Sequence, residues 1–379
     1  MIRSLEVTSF KCFEHLQLEL NTLTLLTGEN SCGKSSVIQA LVLLAQTLQS
    51  REWGRSLLLE GPELALGTVA DVVNHQSARR SLGLSVATDD ERVSWSFSAS
   101  DRRSLSIELE SVDIDGHRTD VDESSQVRWL LPLEKSAEST VVEALLRTSW
   151  ITAERTGPRE ILPLRDREDH ARVGHRGEWA AGLLYWRESS EIAPALCLPG
   201  FPPTLFHQTR ARMHEMFPGC DLRVTPIEGV NAVALRFRLD TRSDFHRPQN
   251  VGFGLSQLFP VVVALLAAKP GDVLLIENPE VHLHPRAQQM IGEMIARFAA
   301  AGVQIIVESH SDHVLNGIRL AVKKQVIPND AVSIHFFGLA RSGEGGRTTT
   351  SPTLDADGRL DVWPEGFFDQ FDLALSELL

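Results

Sequence analysis

The chain has 379 residues, of which 42% are apolar, 23% charged and 6% aromatic, a balance that fits one large globular domain or two and excludes disorder and collagen-like structure. A formal charge of -13, from 50 acidic against 37 basic side chains, makes the molecule as a whole repel a polyanion, so any nucleic-acid contact has to be a local patch. Cys12, Cys32, Cys197 and Cys220 show no C-x-x-C spacing, which points to neither a disulfide framework nor a zinc ribbon and agrees with a reducing cytoplasm.

In chain order, Leu5 and Val7, then Leu16, Leu18 and Leu20, alternate with polar neighbours as strands do, and 23–27 is an apolar run suited to a buried strand ending at Gly28. From Ser35 the period changes: Val37, Ile38, Leu41, Leu44, Ala45 and Leu48 predict a helix of roughly four turns. Segments 82–87, 93–97, 105–109 and 127–133 read as antiparallel strands of a β-rich lobe. Between 141 and 217, six prolines punctuate a mixed segment read as an inserted lid; it lacks the heptads of a long coiled-coil arm. The run 258–268 contains Pro260 and stops at Lys269, short of the roughly 20 residues a membrane span needs. No export signal is visible at the start, so a cytoplasmic protein without membrane contact is expected.

Helices over 259–268, 286–298 and 314–322 then alternate with apolar strands over 273–276 and 303–307, a pattern that implies a parallel sheet covered on both faces. The 342–351 stretch reads as a flexible hairpin or loop, and Phe367, Phe368 and Phe371 after it as a docking core.

Gly28-Glu29-Asn30-Ser31-Cys32-Gly33-Lys34-Ser35 matches G-x-x-x-x-G-K-S/T between a predicted buried strand and a predicted helix, the context a phosphate loop requires. Its glycines let backbone N–H groups turn around a phosphate at a helix N-terminus. Lys34 is suited to neutralising β- and γ-phosphate charge, and Ser35 to taking one Mg2+ position. Cys32 reads as a small side chain tolerated in a tight loop, ahead of a redox-sensitive thiol. The 273–276 strand runs into Glu277, where an acidic Mg2+ ligand belongs at the carboxyl edge of a neighbouring strand. Asn250-Val-Gly252-Phe-Gly254-Leu-Ser256-Gln257 opens a helix and forms a second anion-binding terminus; one triphosphate does not need two cradles, so this one is read as serving a partner subunit's nucleotide.

The order of these motifs, followed by His282-Leu-His284-Pro285 and Ile305-Ile-Val-Glu308-Ser-His310-Ser, resembles the ABC-type ATPase heads of the RecF, SMC and overcoming-lysogenization-defect (OLD) group. The nearest likeness is to stand-alone bacterial AAA-family ATPases with a C-terminal domain of unknown function, through Trp363-Pro-Glu-Gly-Phe-Phe-Asp-Gln370. The resemblance implies an α/β P-loop NTPase fold, an ABC-ATPase-like head with an antiparallel β lobe and an inserted mixed lid. It divides the chain into 1–81 and 246–340 for the ATPase core, 82–245 for lobe and lid, and 341–379 for the small C-terminal domain.

The resemblance further implies that Asn30, Ser31, Cys32, Gly33, Lys34, Ser35 and Ser36 bind ATP phosphates, that Ser35 and Glu277 hold Mg2+, and that Asn250, Gly252, Gly254, Ser256 and Gln257 complete the site of a head-to-tail homodimer or larger assembly. His310 matches the switch histidine and Lys11 a basic residue near the base, while Asp71 is a candidate metal-side contact; Arg155-Thr-Gly157-Pro158 looks family-like without an assigned role. Two departures stand out: Glu277 replaces the usual Asp, and Asn278 stands where many such heads place the water-polarising glutamate, although an amide takes no proton. Glu280, ahead of His310, is the expected substitute.

The implied role is the ATPase sensor of a DNA-associated, phage-defence nuclease or toxin system whose effector is a separate chain. A nucleotide-gated scaffold with negligible turnover and a RecF-like repair ATPase are the alternatives. His282, His284, His310 and His313 with Glu277, Glu280, Glu308 and Asp312 also permit a metallohydrolase cluster as rival chemistry. Arginines between 147 and 176, and Arg210, Arg212, Arg236, Arg238, Arg242 and Arg247, offer two local DNA strips, weighed against a solvated, salt-bridged surface.

Overall fold

The computed structural model describes residues 1–74, 81–167, 172–240, 242–339, 347–364, 366–368 and 375–378. Phe371 and the part of the expected 342–351 hairpin before residue 347 lie outside these. The chain opens with β1 (Ile2–Phe10), β2 (Phe13–Glu19), β3 (Leu23–Gly28), α1 (Lys34–Ser50), β4 (Ser56–Leu58), α2 (Val69–Val72), β5 (Ser81–Thr88), β6 (Arg92–Ser98), β7 (Ser106–Ile114) and β8 (His117–Asp120). There follow β9 (Val127–Arg128), β10 (Leu131–Pro132), α3 (Leu133–Ser136), α4 (Thr140–Leu146), β11 (Thr148–Ile151), β12 (Ile161–Pro163), α5 (Ala180–Trp186), α6 (Leu205–Met216), β13 (Asp221–Pro226) and β14 (Ala232–Arg238). The last part holds α7 (Phe253–Ala267), β15 (Val273–Glu277), α8 (Pro285–Ala300), β16 (Gln304–Glu308), α9 (Asp312–Lys323), β17 (Val332–Leu339) and β18 (Arg347–Thr350).

The central sheet runs β11-β15-β16-β3-β17-β18, parallel except for β18. Every residue of β15 and β16 is buried, because alternate side chains feed opposite cores. Leu274, Ile276, Ile305 and Val307 pack with the apolar faces of α7, α8 and α9, whereas Leu275, Ile306 and Leu26 pack with α1. This two-sided burial is why the strands read as unbroken apolar runs.

A second, antiparallel sheet has the order β2-β1-β5-β6-β7-β4, with β8 on β7. It joins β1 and β2 to the strands after residue 81, so the division expected at 81/82 cuts through one sheet. The strand expected over 127–133 is instead the hairpin β9–β10, reversed by Trp129 and Leu130 at φ 52 and 58. The segment expected as a lid over 141–217 divides: its start, α4 and β11, belongs to the core, with β11 an outer strand of the central sheet, and only the rest, α5 and α6, packs with the three-stranded sheet β12-β14-β13. None of the described helices is long and apolar enough to cross a membrane.

Candidate functional site

β3 delivers the chain to the phosphate loop, and packing dictates its glycines. Gly28 has φ 129, and a Cβ there would lie 2.1 Å from the Phe337 carbonyl oxygen; Gly33 has φ 106, and a Cβ there would lie 2.3 Å from the Phe13 ring. Gly33 caps α1, which begins at Lys34. Asn30 and Ser31 are exposed on the crest, Ser35 is half-buried, and Cys32 and Ser36 are buried. The buried Lys34 ammonium donates to the carbonyls of Gly28 (3.0 Å) and Glu29 (2.6 Å). Burial lowers its pKa, opposed by Glu308, Cys32 and Glu29. Burial and Glu29 push the Cys32 thiol up, which argues against a reactive thiolate. Lys11 reaches Gln39 on the second turn of α1, at 2.5 Å.

The carboxylates come from adjacent parallel strands, with Glu277 of β15 in register with Glu308 of β16. Because β16 lies between β3 and β15, Glu308 reaches the loop: Ser35 Oγ donates to its Oε1 at 3.1 Å. Glu277 is turned the other way and accepts from Trp150 Nε1 (3.2 Å), Thr152 Oγ1 (3.2 Å) and the Ala153 backbone N–H (3.0 Å). Ser35 thus touches Glu308, a contact not expected from the sequence, while Glu277, expected to hold Mg2+ with Ser35, is hydrogen-bonded to β11 and the chain after it. Burial pushes the Glu308 carboxyl up to about 7, the Ser35 hydrogen bond and Lys34 opposing this, Glu277 and Glu280 reinforcing it.

The turn after β15 is held tightly. Asn278 has φ 43 and its N–H donates to the Glu308 carbonyl at 2.8 Å. Glu280, buried, accepts from the His310 N–H at 2.8 Å, and its pKa is raised by burial. His310 lies with Nε2 3.9 Å from Glu308, its pKa lowered by burial and by Lys34. Asn278 Oδ1, Glu280 Oε2 and Glu308 Oε2 are buried without a hydrogen-bond partner among the described residues. Buried oxygens left in this state are costly, and a set of hard oxygen donors beside a phosphate loop fits Mg2+, which takes one or two carboxylates and completes its shell with water and phosphate. Among the described residues, no group of three or more His, Cys, Asp or Glu is placed to hold a metal ion by itself, and the rival histidine cluster is dispersed. His282 packs edge-on to Phe253, His284 caps α8, and His313 lies beside Asp312.

The Asn250–Gln257 segment leads into α7. Asn250 and Gly252 are exposed, Gly254 packs against the His282 carbonyl, and Ser256 Oγ and Gln257 Oε1 are buried without a partner among the described residues. Among the described residues, no hydrogen bond joins 250–257 to the phosphate loop within this chain. Asp71, the candidate metal-side contact, accepts from the Thr68 N–H (2.8 Å) and Thr68 Oγ1 (2.7 Å), closing the capping box of α2.

Several arginines of the two strips are in ion pairs: Arg147 with Asp272, Arg176 with Glu154, Arg210 and Arg238 with Asp221, Arg212 with Glu215, Arg236 and Arg247 with Glu160. The salt-bridged surface describes these residues better than a free DNA strip. At the other edge of the loop, the C-terminal segment buries Phe367 against Phe336, and a cavity of about 390 Å³ opens there between Gly28, His310 and Phe368.

Residues 23–316 match the family described as AAA domain, putative AbiEii toxin, Type IV TA system, and residues 327–378 match a protein family of unknown function, DUF3696. An OLD nuclease of Thermus scotoductus is 23% identical over 336 residues, 82% of this chain and 59% of the relative. A DNA replication and repair protein RecF of Thermomicrobium roseum is 48% identical over 52 residues, 14% of this chain and 13% of the relative. The chain therefore spans less than two thirds of either curated relative. Two solved SMC heads share its fold: one bound to the C-winged helix domain of ScpA, at TM-score 0.56, 14% identity and coverage of 93% and 98% of the two chains. The other, with an extended coiled coil and bound to the C-terminal domain of ScpA derived from Pyrococcus furiosus, gives TM-score 0.55, 11% identity and coverage of 100% and 99%. With a phosphate loop, carboxylate strands and fold in agreement, the chain belongs to the AAA domain, putative AbiEii toxin, Type IV TA system family and is an ABC-type ATPase head of the RecF, SMC and OLD group.

Proposed function

We propose that the chain is a Mg2+-dependent ATPase that closes head to tail on a second copy around two ATP molecules. The observation that carries this reading is the trio of buried, unpartnered oxygens on Asn278, Glu280 and Glu308 around the carboxylate that Ser35 touches. Lys34 and the backbone of residues 30–36 would hold the phosphates, and Ser35, Glu308 and Glu277 the Mg2+, directly or through water. Bound there, the ion neutralises triphosphate charge. Glu280, its carboxyl raised by burial, is suited to accept a proton from water, and His310, kept neutral by burial and Lys34, to sense the γ-phosphate. Asn250, Gly252, Gly254, Ser256 and Gln257 then serve the partner's nucleotide, in keeping with the lack, among the described residues, of hydrogen bonds from them to this chain's own loop. The test is sizing chromatography with and without ATP and Mg2+: the wild type shifts to dimer mass, Ser256→Arg binds ATP but stays monomeric, and a wild type whose mass ignores ATP refutes the arrangement.

In the cell this head would act as the sensor subunit of a DNA-associated, phage-defence nuclease or toxin system with a separate effector chain. The likeness to an OLD nuclease and to a RecF protein supports that direction. Asn278 favours a second reading, a nucleotide-gated scaffold with negligible turnover. Turnover measured with and without DNA separates the two: stimulation by DNA supports the sensor, and tight ATP binding without hydrolysis supports the scaffold. Preferential binding to single-strand gaps would instead indicate RecF-like repair.

A further inference from the structure

Arg155 follows β11 and is 5% exposed. Its Nη2 donates to the carbonyls of Glu277 (2.5 Å) and Asn278 (2.6 Å), and its Nη1 to the carbonyl of Gln257 (3.3 Å). Nε is buried without a hydrogen-bond partner among the described residues. Burial brings its pKa down to about 10, while Glu280 and Glu277 favour the charged form. All three side-chain bonds therefore end on backbone carbonyls of two separate elements, the carboxylate turn and the start of the second turn of α7.

A guanidinium buried this deeply is expensive, and an apolar side chain of similar volume would serve packing at least as well. What it supplies is geometry. Successive carbonyls of a strand point opposite ways, but the positive φ of Asn278 turns two of them onto one nitrogen. The planar fork then has a second nitrogen left for α7, an arrangement an ammonium on a flexible stem does not reproduce. The same arm of chain fixes the carboxylate itself, since the Ala153 N–H and Thr152 Oγ1 both donate to Glu277.

We infer that Arg155 is a positioning residue that ties the Glu277–Glu280 turn to the N-terminal end of α7, so that engagement of α7 by a partner's nucleotide and the alignment of this chain's own carboxylates change together. The inference rests on the proposed ATP-bridged dimer and deepens it: each copy would report the state of one composite site to the other through a single side chain.

The experiment compares full-length wild type, Arg155→Lys, which keeps charge and bulk, and Arg155→Gln. Thermal midpoint, Mg2+-dependent binding of a fluorescent ATP analogue, KM and kcat are measured, each also in combination with Ser256→Ala. ATP-dependent dimer formation replaces kcat if the wild type binds without turnover. We expect Arg155→Lys to melt near the wild type, to bind within about threefold, and to lose at least about tenfold in kcat at unchanged KM. Adding Ser256→Ala should slow it little further, because the two changes break one linkage. Wild-type kcat and dimerisation in Arg155→Lys overturn the inference while leaving the ATPase reading intact. Parallel losses of melting temperature, binding and kcat, or failure of both variants to fold, assign Arg155 to packing and also overturn it. A wild type that binds no ATP overturns the site reading, and the inference falls with it.

Discussion

The phosphate loop and the carboxylate turn face each other across the site, yet they are built in opposite ways. The loop is closed on itself: Lys34 folds onto its carbonyls, and neighbouring Phe13 and Phe337 leave no room for a side chain at Gly33 or Gly28. The turn and the adjoining end of β16 hold Asn278, Glu280 and Glu308, each with one buried oxygen that has no hydrogen-bond partner among the described residues. One side is shaped by backbone and needs no ligand to be complete; the other concentrates charge that a ligand would relieve. In the proposed binding, the loop would contribute shape and the Lys34 charge, and the turn a stored electrostatic cost.

The sharpest break of this contrast is Lys34→Ala, expected to abolish detectable ATP binding in calorimetry, since the one ammonium on the loop is removed while the cradle remains. Next, Glu308→Gln should cut Mg2+-dependent turnover by about a hundredfold or more. Glu280→Gln tests the proposed base: full hydrolysis in that variant, with hydrolysis lost in Glu277→Gln, would exclude Glu280. On the loop side, Gly33→Ala should lower stability in urea by about 1–3 kcal/mol, from the left-handed backbone and the clash with Phe13.

The smallest effect concerns pH. The Glu308 carboxyl, raised from 4.5 to about 7, holds its proton more tightly in the folded than in the unfolded chain. Its stabilisation is complete below pH 4.5 and lost as pH rises through 7. In metal-free protein, Glu308→Gln should flatten that fall and be the more stable form above pH 7, read by denaturant midpoints; an unchanged profile would show that the turn stores no such cost.

The same contrast explains what the sequence disclosed. Gly28, Gly33, Lys34 and Ser35 were legible because a loop between a strand and a helix is specified within eight adjacent residues. The buried runs into Glu277 and Glu308 were equally visible, but which glutamate meets Ser35 depends on strand order, and nothing local reveals that β16 sits beside β3. For the same reason the antiparallel lobe appeared to begin after residue 81, although β1 forms six register pairs with β5 across that point. Asp71 was visible as an acid after a glycine turn; its role in a capping box follows from its spacing to Thr68, a signal the sequence did offer. No role for Arg155 is legible in the sequence, because its three carbonyl partners come from elements about a hundred residues away.

Phe367 is 1% exposed and belongs to the same hydrophobic core as β16 and α9. Its neighbour Gly366 comes so close to Glu29 that a Cβ there would touch the carboxylate at 3.6 Å. The tail of unassigned purpose is thus not an appendage to be trimmed for convenience. A version of the protein shortened ahead of it would expose Phe336 and strip the nucleotide cradle of its outer wall, so that a loss of enzymatic competence in such a fragment would report collapsed architecture rather than a missing signal.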